Sequence, residues 1–298
     1  MKRCLRTLTA ILLVLPWMGF GAVDPANLNP TALGMAGVGV ATSAGTAALL
    51  INPAGLAARK SHNLEVGVGR NPLTNDTTFF AQSVDGQAPG YVQAGVSYGY
   101  TKRNGPSGLR LSGHDVRSGG ALSGRSDIAN YMVGVSTRYL SLSGPGDNSE
   151  EVSGWGIDAG LTVAMAGKVR LGIVWRNAMT PDPQLAPGQI AAGLGLVFSR
   201  GMLAFDGSWG TEESGVTYRV GGALTVTQWL QLRAGYKYTE LATPDRPDTA
   251  LGHTVTGGLG VQIERFNLGA AAAIPLSRPD DWQLVVSLSY LLPTVSGR

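Results

Sequence analysis

The chain has 298 residues, of which 44% are hydrophobic, only 14% charged and 43 are glycine, with a formal net charge of +3. Charged residues fall well below the roughly 25% of ordinary soluble domains, and no three-residue glycine period marks a collagen. A mean hydropathy of +0.08 is too low for a bundle of membrane helices.

Lys2, Arg3 and Arg6 precede a mostly apolar run over residues 7–15, and Gly19-Phe20-Gly21 offers a small-x-small cleavage site. This pattern predicts a secretory signal peptide over residues 1–21. Its removal lowers the 23 Lys+Arg by three to 20, against 20 Asp+Glu, so the mature chain is neutral. Cys4, the single cysteine, leaves with it, and with it any disulfide or thiol chemistry. A neutral chain lacks the basic patch that marks a nucleic-acid partner.

Between Asp24 and Arg59 there is no charged side chain, and Gly and Ala dominate. A membrane helix is excluded by Asn29, Thr42, Ser43, Thr46 and Asn52 and by the prolines that bracket the stretch. A dinucleotide loop is excluded because Gly34, Gly37 and Gly39 have the wrong order and the first downstream acid is Glu65. Small residues suit close packing inside another structure, and Asn52-Pro53 is a turn signal after "AALLI". Residues 22–63 are expected to form an N-terminal plug, with a short helix across 44–51.

From residue 64 onward apolar and polar or small residues alternate with the strand period of two. Leu230, Leu232, Ala234, Tyr236 and Tyr238 share one face, as do Leu171, Ile173 and Trp175. Runs of nine to twelve residues match the roughly 9–11 that a tilted strand needs to cross a bilayer. Thirteen strands are predicted directly, ending with 282–292. The alternation of tight turns (Ala166-Gly167, Glu264-Arg265) with long loops then requires one more strand within 102–128, best placed at 107–115. The fold class expected is all-β, a transmembrane antiparallel β-barrel of about fourteen strands over residues 64–298, with an N-terminal plug segment. The opposite face carries Glu65, Arg138, Asp158, Arg170, Arg176, Asp206, Arg219, Arg233 and Lys237, which become candidate lumen-facing charges.

The stretch "LGMAGVGVATSAGTAALLINPAGLA" resembles the N-terminus of the FadL family of outer-membrane transporters and of the related PorV-like proteins. Asn52, Pro53, Ala54 and Gly55 match the family's Asn-Pro-Ala-Gly motif. The resemblance implies a fourteen-stranded barrel with a plug in the bacterial outer membrane, surrounded by outer-membrane lipid. It implies passive passage of a small hydrophobic ligand, such as a long-chain fatty acid, without cofactor. The PorV-like side of the resemblance implies instead a scaffold that holds a protein partner for secretion or surface-protein assembly. The charged inner face departs from a largely apolar tunnel. Those charges can pair with one another or hold the plug, line a wet channel, or bind a carboxylate.

No enzyme is expected. His62, His114 and His253 lie far apart with no metal-ligand spacing. His114 and Asp115, adjacent in a strand, point to opposite faces.

Overall fold

The computed structural model describes residues 28–86, 92–104, 110–143, 152–179, 187–211, 215–240 and 252–292; the predicted signal peptide lies outside them. The strands are β1 (His62–Asn71), β2 (Asp76–Asp85), β3 (Val92–Asn104), β4 (Arg110–Arg125), β5 (Ala129–Ser143), β6 (Val152–Met165) and β7 (Val169–Arg176). They continue as β8 (Gln189–Phe198), β9 (Gly201–Gly210), β10 (Val216–Thr225), β11 (Leu230–Glu240), β12 (Gly252–Ile263), β13 (Phe266–Pro275) and β14 (Gln283–Leu292). Each strand pairs antiparallel with its sequence neighbours, and β1 pairs with β14 from His62↔Leu292 to Arg70↔Leu284, so fourteen strands close into a barrel. Closure removes every edge, which a sheet needs where no water can satisfy unpaired backbone groups.

The two faces are inverted relative to a water-soluble sheet. Along β1, Leu64, Val66 and Val68 are 43, 54 and 39% exposed, while Glu65 between them is 6% exposed. Leu171, Ile173 and Trp175 of β7 and Val255, Leu259 and Ile263 of β12 point outward in the same way. An apolar band around the outside is the lipid-facing surface of a transmembrane barrel. Phe266 and Tyr290, at one end of β13 and β14, pack with ring centroids 5.0 Å apart. Tyr139 and Trp155 pack at the same 5.0 Å near the other end of β5 and β6. Aromatic pairs at both rims fit the interfacial girdles of such barrels.

Short turns close one end of the barrel. Ala166 (φ 46°) and Gly167 (φ 69°) take left-handed backbone in the three-residue connection between β6 and β7, the twist that a tight hairpin demands. The returning strand expected at 107–115 is present but displaced: β4 spans Arg110–Arg125, and residues 107–109 lie outside those described. Register explains the shift. The Gly/Ser-rich stretch Ser118-Gly119-Gly120 reads as a loop, yet it is paired on both sides, to Val96–Ala94 of β3 and to Thr137–Val135 of β5.

Residues 28–58 form a compact segment of α1 (Pro30–Gly34), a 3-10 turn (Gly45–Ala47), α2 (Ala48–Ile51) and a second 3-10 turn (Pro53–Ala58). The helix expected across 44–51 thus takes the form of a 3-10 turn running into α2. Asn29 caps α1, its Oδ1 accepting the Thr31 and Ala32 amides at 2.8 and 3.1 Å, ahead of Pro30 at the first helical position. Leu28, Leu33, Leu50 and Ile51 cluster with inward-facing Phe80 of β2, Val174 of β7, Ala191 of β8 and Val285 of β14. Met35 and Val38 pack on Ala204 and Ala223, and Leu49 and Leu56 on Val84 and Ala121. Partners on strands all round the circumference place the segment inside the barrel. The wall is cut back to receive it: a Cβ at Gly134 would strike the backbone of Pro53 and Ala54, and one at Gly172 the backbone of Val40 and Ala41.

Candidate functional site

The lumen is where the inward charges and the inner segment meet, at three polar anchors. At the first, Asn29 Nδ2 donates to Glu65 Oε2 at 2.9 Å and to Thr46 Oγ1 at 3.1 Å. The Thr46 hydroxyl donates to the same carboxylate oxygen, and Ser287 Oγ donates to Glu65 Oε1 at 2.7 Å. Gln82 Nε2 completes the group by donating to the Leu28 carbonyl at 2.9 Å. Glu65 thereby ties two parts of the segment to β1, β2 and β14.

At the second anchor, Asp206 Oδ2 on β9 accepts the Gly39 and Val40 amides at 2.6 and 2.9 Å. A carboxylate receiving two converging backbone N–H groups makes charge-assisted bonds, about twice the strength of neutral ones. The third anchor is Asn52, fully buried between the two helical turns. Its Nδ2 donates to the Val40 carbonyl at 2.6 Å and to Thr162 Oγ1 of β6 at 3.3 Å, while its Oδ1 accepts the Ala54 amide at 3.0 Å. Pro53 and Ala54 lie against β5 at Gly134, and Gly55 against the Ser43 carbonyl, so the motif residues form the turn that folds the segment back on itself. Arg176 adds a fourth tie, Nε donating to the Ile51 carbonyl at 3.0 Å at the end of α2.

The remaining candidate charges sit as follows. Arg138 on β5 binds Asp115 Oδ2 at 2.7 Å, and Arg117 Nε binds Asp115 Oδ1 at 3.0 Å, all three buried. Arg117 and Arg138 are direct cross-strand partners, so the carboxylate separates two cations that would otherwise face each other. Asp158 Oδ1 accepts the Asn177 amide at 2.7 Å. Arg219 donates to Ser208 Oγ at 2.8 Å, and Lys237 is its cross-strand partner on β11. Arg233 donates to Gln231 Oε1 at 2.7 Å and to the Leu259 carbonyl at 3.3 Å. Arg170 is half-buried, and its Nε is buried with no hydrogen-bond partner among the described residues.

Sequence reasoning missed Asn29, Thr46, Gln82, Asp115, Arg117 and Ser287 as members of these clusters. Asp115 and Arg117 share the inward face of β4, but the strand was placed too early for that face to be followed. Asn29 before Pro30 is a legible helix cap; its link to Glu65 is not, because nothing local encodes which strand lies beside it.

His114 is exposed and Asp115 buried, on opposite faces of β4, so the two cannot act together. A groove of about 480 Å³ bounded by Ser83, Ala94, Val96, Ser118, Val135 and Thr137 crosses β2 to β5 on the membrane-facing wall, outside the lumen.

No family model and no curated protein matches this chain. Solved structures do. The CymD monoaromatic hydrocarbon channel aligns over 91% of this chain and 98% of its own, at 15% identity and a TM-score of 0.69. The toluene transporter TbuX of Ralstonia pickettii aligns over 90% and 98%, at 14% identity and a TM-score of 0.65. A FadL homologue of Pseudomonas aeruginosa aligns over 89% and 98%, at 12% identity and a TM-score of 0.64. At the level of fold, the chain is a closed fourteen-stranded barrel of the FadL-like kind.

Proposed function

We propose that this protein is a bacterial outer-membrane channel that lets small hydrophobic compounds pass without energy input, with residues 22–63 as a plug in its lumen. The observation that carries the reading is the inner segment itself. Residues 28–58 fill the middle of a closed wall, yet polar ties fix them at only a few points: Glu65, Asp206, Asn52, Thr256 and Arg176. A segment that served only to complete the core would not need to be held by two wall carboxylates, Asp206 on its backbone and Glu65 on its side chains. Point anchors on an otherwise apolar, small-residue interface suit a body that shifts as a unit. The shared fold with hydrocarbon channels points the same way. Residues 1–21 direct export, and the barrel sits in the outer membrane. Fatty acids and monoaromatic hydrocarbons are both admissible cargo, since the segment's wall-facing residues are aliphatic.

The test is uptake of a hydrophobic fluorophore that an intact outer membrane excludes, N-phenylnaphthylamine. Cells that express the protein are expected to take up the dye faster than empty-vector cells. Equal rates, with a protein partner retained through purification in detergent, would replace the channel by the scaffold reading.

A further inference from the structure

Two cations face outward from neighbouring places on the barrel wall. Arg70 on β1 and Lys102 on β3 alternate with buried neighbours and are exposed on the membrane side. Across β5 to β14 the lysines and arginines with described side chains, Arg138, Arg170, Arg176, Arg219, Arg233 and Lys237, all take inward positions. The register brings the two outward cations together: Arg70 pairs with Thr77, and Thr77 with Lys102, in one row across β1 to β3. Two strand spacings, about 10 Å, separate them. Among the described side chains of β1 to β5 the one outward acid is Asp85, at the opposite end of β2. Arg70 Nη2 donates to Asn75 Oδ1 at 3.3 Å, which engages one of its five N–H donors.

The row lies at the end of the barrel with the long connections 144–151, 177–188 and 241–251, opposite the short ones at 166–168, 199–200 and 264–265. Arg70 stands eight residues along β1 from the short-turn end, and Lys102 ten along β3. At about 3.3 Å a residue and a tilt of about 40°, those are heights of about 20–25 Å, the upper edge of an apolar band about 25 Å tall. Directly below the row come Val68, Phe79 and Tyr100, again partners in register, with Phe79 54% exposed. Below these, on the same side of the barrel, lies the groove of about 480 Å³ on β2 to β5. Val96 in that groove is six residues from Lys102. The span is about 20 Å along the tilted strand, or about 15 Å of depth, one leaflet of a roughly 30 Å hydrocarbon core. Small Ala81, outward on β2 between Phe79 and Ser83, leaves the way down open. The groove's hydroxyls are satisfied within it, since Ser118 Oγ and Thr137 Oγ1 bond each other at 3.0 Å.

Long cationic side chains at a membrane surface serve as general anchors when they ring a protein, their stems in the apolar layer and their charges in the head groups. Here they do not ring it. We propose that Arg70 and Lys102 bind the phosphorylated head group of a membrane lipid in the leaflet at the long-loop end, with one of its acyl chains in the outer groove on β2 to β5. Two cations match a phosphate monoester, which carries a charge of about −1.5 to −2. The planar fork of Arg70 takes two phosphate oxygens, and Lys102 adds a point charge. Thr77 between them is small enough for both side chains to close over it. The exposed rings of Phe79 and Tyr98 flank the descent from head group to groove. The occupant is a lipid of the surrounding membrane, held on the outside of the wall, and is distinct from any cargo of the lumen. This inference rests on the outer-membrane reading of the barrel and not on passage through it.

The experiment is native mass spectrometry of the full mature barrel in a neutral detergent, titrated with diphosphoryl lipid A. The controls are the same lipid stripped of both phosphates and the monoanionic phosphatidylglycerol. Wild type is expected to retain diphosphoryl lipid A saturably, and to hold either control about tenfold more weakly. Arg70→Gln and Lys102→Gln are each expected to weaken retention about three- to fivefold, as loss of one exposed charge contact should. The double variant should lose the preference for phosphate altogether. Ser118→Phe, which fills the groove from its exposed side, is expected to lower retention of both lipid A forms and to leave the preference intact. Equal retention of the phosphorylated and stripped lipids by wild type, equal retention of phosphatidylglycerol, or a preference that survives in the double variant would overturn the site. Membrane fractionation tests the underlying reading separately: recovery of the protein away from the outer membrane would reject that reading, whatever the lipid titration shows.

Discussion

Asp115 bonds to two arginines at once, and its removal should be felt more than that of either. Asp115→Asn removes the carboxylate from between Arg117 and Arg138, two buried cations on facing strand positions, at a cost of about 3–5 kcal/mol. Arg117→Met or Arg138→Met leaves the carboxylate one partner and should cost less. Gel mobility after graded heating in detergent reads the order; a ranking with Asp115→Asn mildest would contradict the assignment. Asn52→Ala removes the cap of the second 3-10 turn and leaves the Val40 carbonyl and Ala54 amide unpaired. The expected loss is about 1–3 kcal/mol per group stranded, seen as a lower heating midpoint, and an unchanged midpoint would show the contacts to be idle. The inward position of Glu65, Asp206 and Arg233 was legible in sequence, because a period of two assigns a face without knowledge of neighbours. Their partners were not. Whether Arg138 meets Asp115 depends on the β4–β5 register, which sets Arg117 opposite Arg138.

Strands announce themselves where lipid touches them. β7, β9, β11 and β13, expected from the alternation at 168–177, 201–210, 229–239 and 265–274, lie within a residue of those bounds because the outward face of each is a row of apolar or small residues. β4 was placed too early for the converse reason. β3 to β6 run to 13–16 residues, more than a bilayer requires, and the outward face at the start of β4 carries Ser112 and His114. With no lipid to face, that end has no hydrophobic signal to read. The inner segment has no period at all; its composition showed that it was to be packed, not against what. Its fit makes a prediction at this scale. Gly134→Val would put a branched side chain into the backbone of Pro53 and Ala54 while it leaves the outward face of β5 unchanged. The barrel should still form, and the segment should be displaced. A single cysteine at Leu49, fully buried in the native chain, is expected to resist a maleimide in wild type and to react in the Gly134→Val background. Equal protection in both would mean that the segment is not seated on β5.

On the scale of the whole molecule, a hydrogen-bonded wall closed on itself and an inner body divide the labour. The wall owes its stability to fourteen ladders and to lipid contact, so it can persist whether or not the segment stays in place. The segment is held by buried aliphatic side chains and a few polar ties, which leaves its displacement as a separate, smaller event. In the channel reading proposed above, passage through the lumen depends on that event. The position of Gly195 allows the dependence to be tested reversibly, since its virtual Cβ lies 3.6 Å from Thr42 Cβ, within the roughly 3.5–4.5 Å of a disulfide. Cys4, within the expected signal peptide, is the sequence's single cysteine, so no other native thiol competes. The decisive measurement is dye uptake by cells that carry the Thr42→Cys, Gly195→Cys double variant, before and after a membrane-permeant reductant. A gated channel is expected to be silent when oxidised and to recover wild-type uptake when reduced, with both single variants active throughout. Full uptake in the oxidised, cross-linked barrel would contradict the claim that the segment must move for anything to pass.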